Sequence, residues 1–143
     1  MTQRIVQSPH DHVMAQRYVE SLTPPYTLSV RMGKNRSIEQ NRLQRLWMNE
    51  IAEQRPEKTA EEWRAHCKLH FGVPILRAED DHFCAEYDRL IRPMDYEDKL
   101  SIMAVPLDFP VTRLMSTKQK THYLDAIYVH FNGLGVVLTE PGP

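Results

Sequence analysis

Long apolar runs are missing from this chain: none approaches the ~20 residues that a bilayer-crossing helix needs, and no charged-then-apolar leader opens it. The expectation is a soluble, cytoplasmic protein with no membrane partner. Glycine is scarce, at Gly33, Gly72, Gly133, Gly135 and Gly142, and neither a Walker loop nor a dinucleotide fingerprint can be placed on that spacing. ATP or NAD use is therefore not expected, and no cofactor is. Cys67 and Cys84 are the only cysteines and form no C-x-x-C pair, so both read as reduced thiols of the core or its margin. Excess charge is missing too. A formal net charge of −1 argues against a protein that coats duplex DNA by bulk charge.

What is present is segregation of charge. Residues 31–45 carry Arg31, Lys34, Arg36, Arg42 and Arg45 against a lone Glu39, and residues 112–120 carry Arg113, Lys118 and Lys120. Between them, residues 79–88 hold Glu79, Asp80, Asp81, Glu86 and Asp88 with no cation. Two basic segments that converge make a local electropositive face even on a neutral protein, because binding follows local potential. The bland alternative is that each is an ordinary solvated face.

The 143 residues suit one domain with a substantial core. Arg4–Gln7 reads as a short strand. Ser8-Pro9-His10-Asp11 is a helix start with a serine cap, and Tyr26, Leu28, Val30 and Met32 alternate with polar residues as a half-buried strand does. The opening thus reads as β-α-β. A central helix is expected from about Ile38 to Gln54, with Leu43, Leu46, Trp47 and Ile51 as its buried stripe. Ser37 and Gln40 fit the capping box at its start, as do Thr59/Glu62 and Ser116/Gln119 at two later ones. Gly72 and Pro74 read as a helix stop, Pro106 and Pro110 forbid helix between Val105 and Met115, and Asn132-Gly133 ends the last helix. The fold class read from this pattern is α+β: a short N-terminal β-α-β sheet packed against several helices in a single domain 1–143, with 134–143 an extended or frayed tail.

The run Asn35-Arg36-Ser37-Ile38-Glu39-Gln40-Asn41-Arg42, leading into Leu46-Trp47, resembles the signature of the NinB (Orf) family of phage recombination proteins. Thr112-Arg113-Leu114-Met115-Ser116-Thr117-Lys118, leading to Tyr123-Leu124-Asp125-Ala126-Ile127, is similar to the closing segment of small members. The resemblance implies a homodimer that binds single-stranded or junction DNA without catalysis. It also implies contact with the host single-strand-binding protein while a recombinase is loaded. Residues and resemblance together nominate Lys34, Arg36, Gln40, Asn41, Arg42, Arg45, Arg113, Lys118 and Lys120 as the nucleic-acid contacts. Gln40 and Asn41 have an architectural reading as well. Tyr123, next to the second basic segment, is the candidate for base stacking, whereas Trp47 and Trp63 lie on apolar stripes and read as core.

A metal-dependent nuclease is the competing class, because His10-Asp11-His12 and Asp80-Asp81-His82 have the atom types that hold a divalent ion. Their spacing is poor for it: adjacent helical residues point about 100° apart. His66 and His70 share a helix face at i, i+4 but lack an H-E-x-x-H pattern or an added carboxylate. A third class is an interaction module whose basic face receives an acidic peptide.

Overall fold

The computed structural model describes residues 3–30 and 36–141, and of Arg36 and Ser37 only the backbone. These residues fall into two compact units, 1–35 and 36–143, taken separately below.

In the first unit, α1 (Pro9–Glu20) begins as its sequence dictates. Ser8 Oγ accepts from Asp11 N–H at 3.1 Å, Pro9 occupies the first turn, and Asp11 Oδ2 accepts from Gln7 N–H at 3.2 Å. No residue of α1 is buried. The strands expected at Arg4–Gln7 and from Tyr26 onward do not form; Met32, the end of the second, lies outside the described residues. Tyr26, Leu28 and Val30 are exposed, Val30 to 76 %. Alternation marks a face that a sheet would bury, but a strand exists only when a neighbour completes its ladder, and none does so among the described residues. The α+β expectation is overturned: the described residues contain helices and no strand.

The second unit is built from α2 (Arg36–Gln54), α3 (Ala60–Cys67), α4 (Val73–Glu79), α5 (Asp81–Leu90), α6 (Tyr96–Met103) and α7 (Thr117–Gly133). Both later capping boxes form: Thr59 with Glu62 starts α3, and Ser116 with Gln119 starts α7. The third does not. α2 already begins at Arg36, which places Ser37 inside the helix, and the Gln40 amide bonds elsewhere. The stop read at Gly72-Pro74 is also corrected. Lys68–Gly72 form a π turn that carries α3 directly into α4, and Pro74 sits in the first turn of α4, where its missing N–H costs little. Gly72 is needed for a different reason: a Cβ there would lie 2.6 Å from Val111 Cγ1.

Two hydrophobic clusters result. In the first, Trp47, Met48 and Ile51 of α2 pack with Trp63 and Cys67 of α3 and with Tyr123, Ile127 and Phe131 of α7. In the second, Val73 and Leu76 of α4 meet Tyr87, Met103 and Val111. Leu46, expected in the α2 stripe, is 42 % exposed, and Met48 and Gln44 are buried in its stead. α7 ends at Gly133, as expected, and the bonds that close it lie just beyond. Gly135, at φ +84°, donates to Asn132 C=O at 3.1 Å, and Val136 N–H returns to Phe131 C=O at 2.9 Å, the paired bonds of a Schellman stop. The segment after it runs extended with Val136 and Leu138 buried, and α2 side chains hold its backbone. Gln54 brackets Val137 with two 2.7 Å bonds, Trp47 Nε1 donates to Thr139 C=O at 2.7 Å, and Glu50 accepts from Thr139 N–H at 3.0 Å.

Candidate nucleic-acid interface

The surface that gathers the nominated residues runs along α2 from the start of α7. Gln40 ties the two helices together: its Nε2 donates to Thr121 Oγ1 at 2.9 Å and to Thr117 C=O at 3.4 Å. One turn on from Ser116, Lys120 Nζ donates to Asn41 Oδ1. These contacts join residues some eighty positions apart, so the two basic segments meet because α2 and α7 pack. Two adjoining cavities mark this surface, the smaller at the α2–α7 seam and the larger between α2 and α3. The smaller, about 220 Å³, is lined by Gln40, Asn41, Arg113, Met115, Thr117 and Lys120 among others. The larger, about 410 Å³, continues past Gln44, Arg45 and Asn49 to Glu61 and Arg64, and Asn41 and Thr112 border both.

The nominated residues divide on this surface. Gln40, Asn41, Arg113 and Lys120 line the smaller cavity and Arg45 the larger. Arg42 and Lys118 are exposed but border neither. Lys34 lies outside the described residues, as does the side chain of Arg36. Lys120, expected at the surface, is only 8 % exposed, and burial pushes its pKa below the usual lysine range. Among the described residues no carboxylate pairs with Lys120, Arg45 or Arg113. Arg64, which the sequence reading did not nominate, adds a guanidinium to the far wall. Its charge is already answered by Glu61 at 2.7 Å and Asp108 at 2.7 Å, and the Glu61 bond chiefly raises its pKa. Its place at the margin of the Trp63/Cys67 stripe of α3, about 60° round from Cys67, was the signal available for it.

Two of the five acids of the acidic segment, Glu86 and Asp88, are neutralised where they stand. Arg77 clasps Asp88 through two 2.8 Å bonds, Arg89 reaches Glu86 at 2.6 Å, and Asp80 caps α5 by accepting from Phe83 N–H at 3.0 Å. Asp11 and Asp80, two of the three carboxylates that suggested a metal, thus serve helix starts. Among the described residues no three His, Cys, Asp or Glu side chains converge as an ion would require. His66 and His70 stack at 4.2 Å with His70 Nε2 2.8 Å from Tyr96 OH.

Tyr123 is corrected as a stacking residue: it is fully buried in the first cluster, with its hydroxyl unpartnered. Trp47 and Trp63 are buried as their stripes implied, and Trp63 Nε1 donates to Arg55 C=O at 3.0 Å. The seam therefore offers cations, amides and hydroxyls with one apolar surface, Met115, at the smaller cavity. Such a set binds phosphates and hydrogen-bonds exposed base edges, with little room for aromatic stacking. Among the described residues no helix is long and apolar enough to cross a membrane. Comparison with family models, with curated proteins and with solved structures finds no match.

Proposed function

We propose that the chain is a non-catalytic protein of phage-type DNA recombination that binds single-stranded or junction DNA along the α2–α7 seam. One observation carries the reading. Gln40, Asn41, Arg45, Arg113 and Lys120, drawn from both basic segments, line one continuous surface whose Arg45, Arg113 and Lys120 have no carboxylate partner among the described residues. Phosphates supply the missing counter-charge, and the neighbouring amides contact sugar and base edges. A homodimer acting in the cytoplasm, with the host single-strand-binding protein as partner in loading a recombinase, completes the proposal on the strength of the resemblance.

Binding of labelled single-stranded and duplex DNA across salt, with and without Mg²⁺, tests it. Affinity for the single strand should exceed that for duplex and fall log-linearly with salt, by about 0.7 per phosphate contact. Mg²⁺-dependent cleavage that Asp80→Ala or His82→Ala removes would replace this reading with a nuclease, and preference for an acidic peptide over DNA would replace it with an interaction module.

A further inference from the structure

We infer that the larger cavity, the groove between α2 and α3, seats one whole unpaired nucleotide and reads its base through the Gln44 amide; the inference rests on the single-strand reading above. On α2 the groove is lined by Asn41, Gln44, Arg45, Met48 and Asn49, spaced i, i+3, i+4, i+7 and i+8. That spacing marks a helix face that ordinarily packs with apolar side chains. Here it is mostly polar, and Glu61 and Arg64 stand across from it on α3. Gln44 is the anomaly. It is only 7 % exposed, and its side chain hydrogen-bonds to nothing among the described residues. The sealed, unpartnered polar side-chain atoms among those residues are Gln40 Oε1, His66 Nδ1 and Tyr123 OH; neither amide atom of Gln44 is one of them, so both stay accessible from the groove. A leucine would fill this position with no polar group to satisfy, so the amide points to a ligand that bonds to it.

An amide offers a donor and an acceptor side by side. A phosphodiester only accepts, which would leave Gln44 Oε1 unused. A base edge supplies both, as adenine N6 and N7 do for a glutamine. The volume calls for more than the base. About 410 Å³ equals roughly fourteen waters at their liquid volume, the scale of a nucleotide with its sugar and phosphate. Arg45, with no carboxylate partner among the described residues, is the cation for that phosphate. Arg64 adds a second donor, because Glu61 and Asp108 engage its Nε and Nη2 and leave Nη1 over. Duplex DNA keeps its bases stacked inside and cannot lay one between two helices. The groove thus supplies a reason to prefer unpaired strands that charge alone does not.

The test compares a short labelled oligo-dA with a strand of equal length built from abasic residues, so that phosphate number is constant, by fluorescence anisotropy at fixed salt. The intact strand should bind about tenfold tighter, the range that one base held by a bidentate amide supplies. Gln44→Met, the nearest apolar shape, should bring the two strands level while leaving the salt slope unchanged. In the unaltered protein the side-chain amide NMR signal of Gln44 should shift on adding oligo-dA and stay put with the abasic strand. Equal binding of the two strands by the unaltered protein overturns the inference while the single-strand reading survives. A preference that persists in Gln44→Met overturns it too, making Gln44 a holder of water. So does a Gln44 signal that oligo-dA leaves unmoved, and that arm needs no variant, so it decides even where Gln44→Met fails to fold. Binding of neither strand at low salt overturns both readings.

Discussion

Two regions of the second unit each bury a lysine, and they treat it differently. Lys68, at the start of the π turn, is 1 % exposed. Its Nζ donates to Met103 C=O at 2.6 Å and to Asp108 Oδ1 at 2.8 Å, and Arg64 holds the same carboxylate at 2.7 Å. Asp108 stands at φ +47°, a left-handed conformation that these bonds help to hold, and Glu61 fastens the same loop by accepting from Val105 N–H at 3.0 Å. Lys120 has one neutral amide as its partner and a cavity beside it. A buried charge needs an answering charge. The first region contains it, and the second is open to receive one.

The largest effect should come from breaking the answered pair. Lys68→Met strands Asp108 with Arg64 alone and empties the bond to Met103 C=O. Asp108 keeps some solvent, which discounts the usual cost of a broken buried pair to about 2–3 kcal/mol. Chemical denaturation should show that loss while single-strand affinity is unchanged. Lys120→Met should do the reverse. A methionine of similar shape removes an unanswered buried charge, so stability should hold or rise by about 1 kcal/mol, while affinity for single strands drops about tenfold. Loss of stability with intact binding would erase the distinction between the two lysines.

The pH dependence sharpens the same contrast. Bonds from Lys68 and then Arg64 push the Asp108 carboxyl down to about 2, from 3.8. Its folded pKa is the lower one, so its contribution is present above 3.8 and is lost as pH falls toward about 2, by about 1 kcal/mol after allowance for solvent. Asp108→Asn should lack that acid-limb loss in equilibrium unfolding. Lys120 also has a lowered pKa, but as a base: the unfolded chain keeps the proton longer, so its burial penalty fades as pH rises toward 10.5. The stability advantage of Lys120→Met over the unaltered protein should therefore narrow in that direction. The smallest effects belong to single surface cations. Arg45→Ala and Arg113→Ala should each flatten the salt dependence by about 0.7 with little change in stability, and Arg42→Ala, off both cavities, should flatten it less.

Local signals in the sequence were legible where one residue acts on its own backbone. The caps at Ser8, Thr59 and Ser116 follow from chemistry within four residues, whereas the segment before Met115, read as barred from helix by its prolines, forms a 3-10 turn at Thr112–Leu114 once past Pro110. Signals that need a distant partner were not. Alternation at Tyr26, Leu28 and Val30 states only that a strand is possible, and nothing local says whether a neighbour pairs with it. The π turn adds a residue to the helix and so converts Gly72-Pro74 from a stop into a passage, an insertion that a fixed 3.6-residue period cannot register. Of the site, Arg45, Arg113 and the Gln40-Asn41 pair were visible as types without their geometry. The burial of Lys120 was there to be read: it lies three and four positions before Tyr123 and Leu124, on the buried stripe of α7 that Ile127 and Phe131 continue.

The clasp of α2 on the closing extended segment has a consequence for how the chain is made. Trp47 and its acceptor at Thr139 are 92 positions apart, so the first helix of the second unit cannot complete its core until the segment that carries Thr139 has been synthesised. At a ribosomal pace of about 5–20 residues per second, that side of α2 stays uncovered for roughly 5 to 20 seconds. A nascent chain arrested before Val136 should accordingly leave the indole of Trp47 open to a soluble quencher, and emergence of the segment through Thr139 should close it.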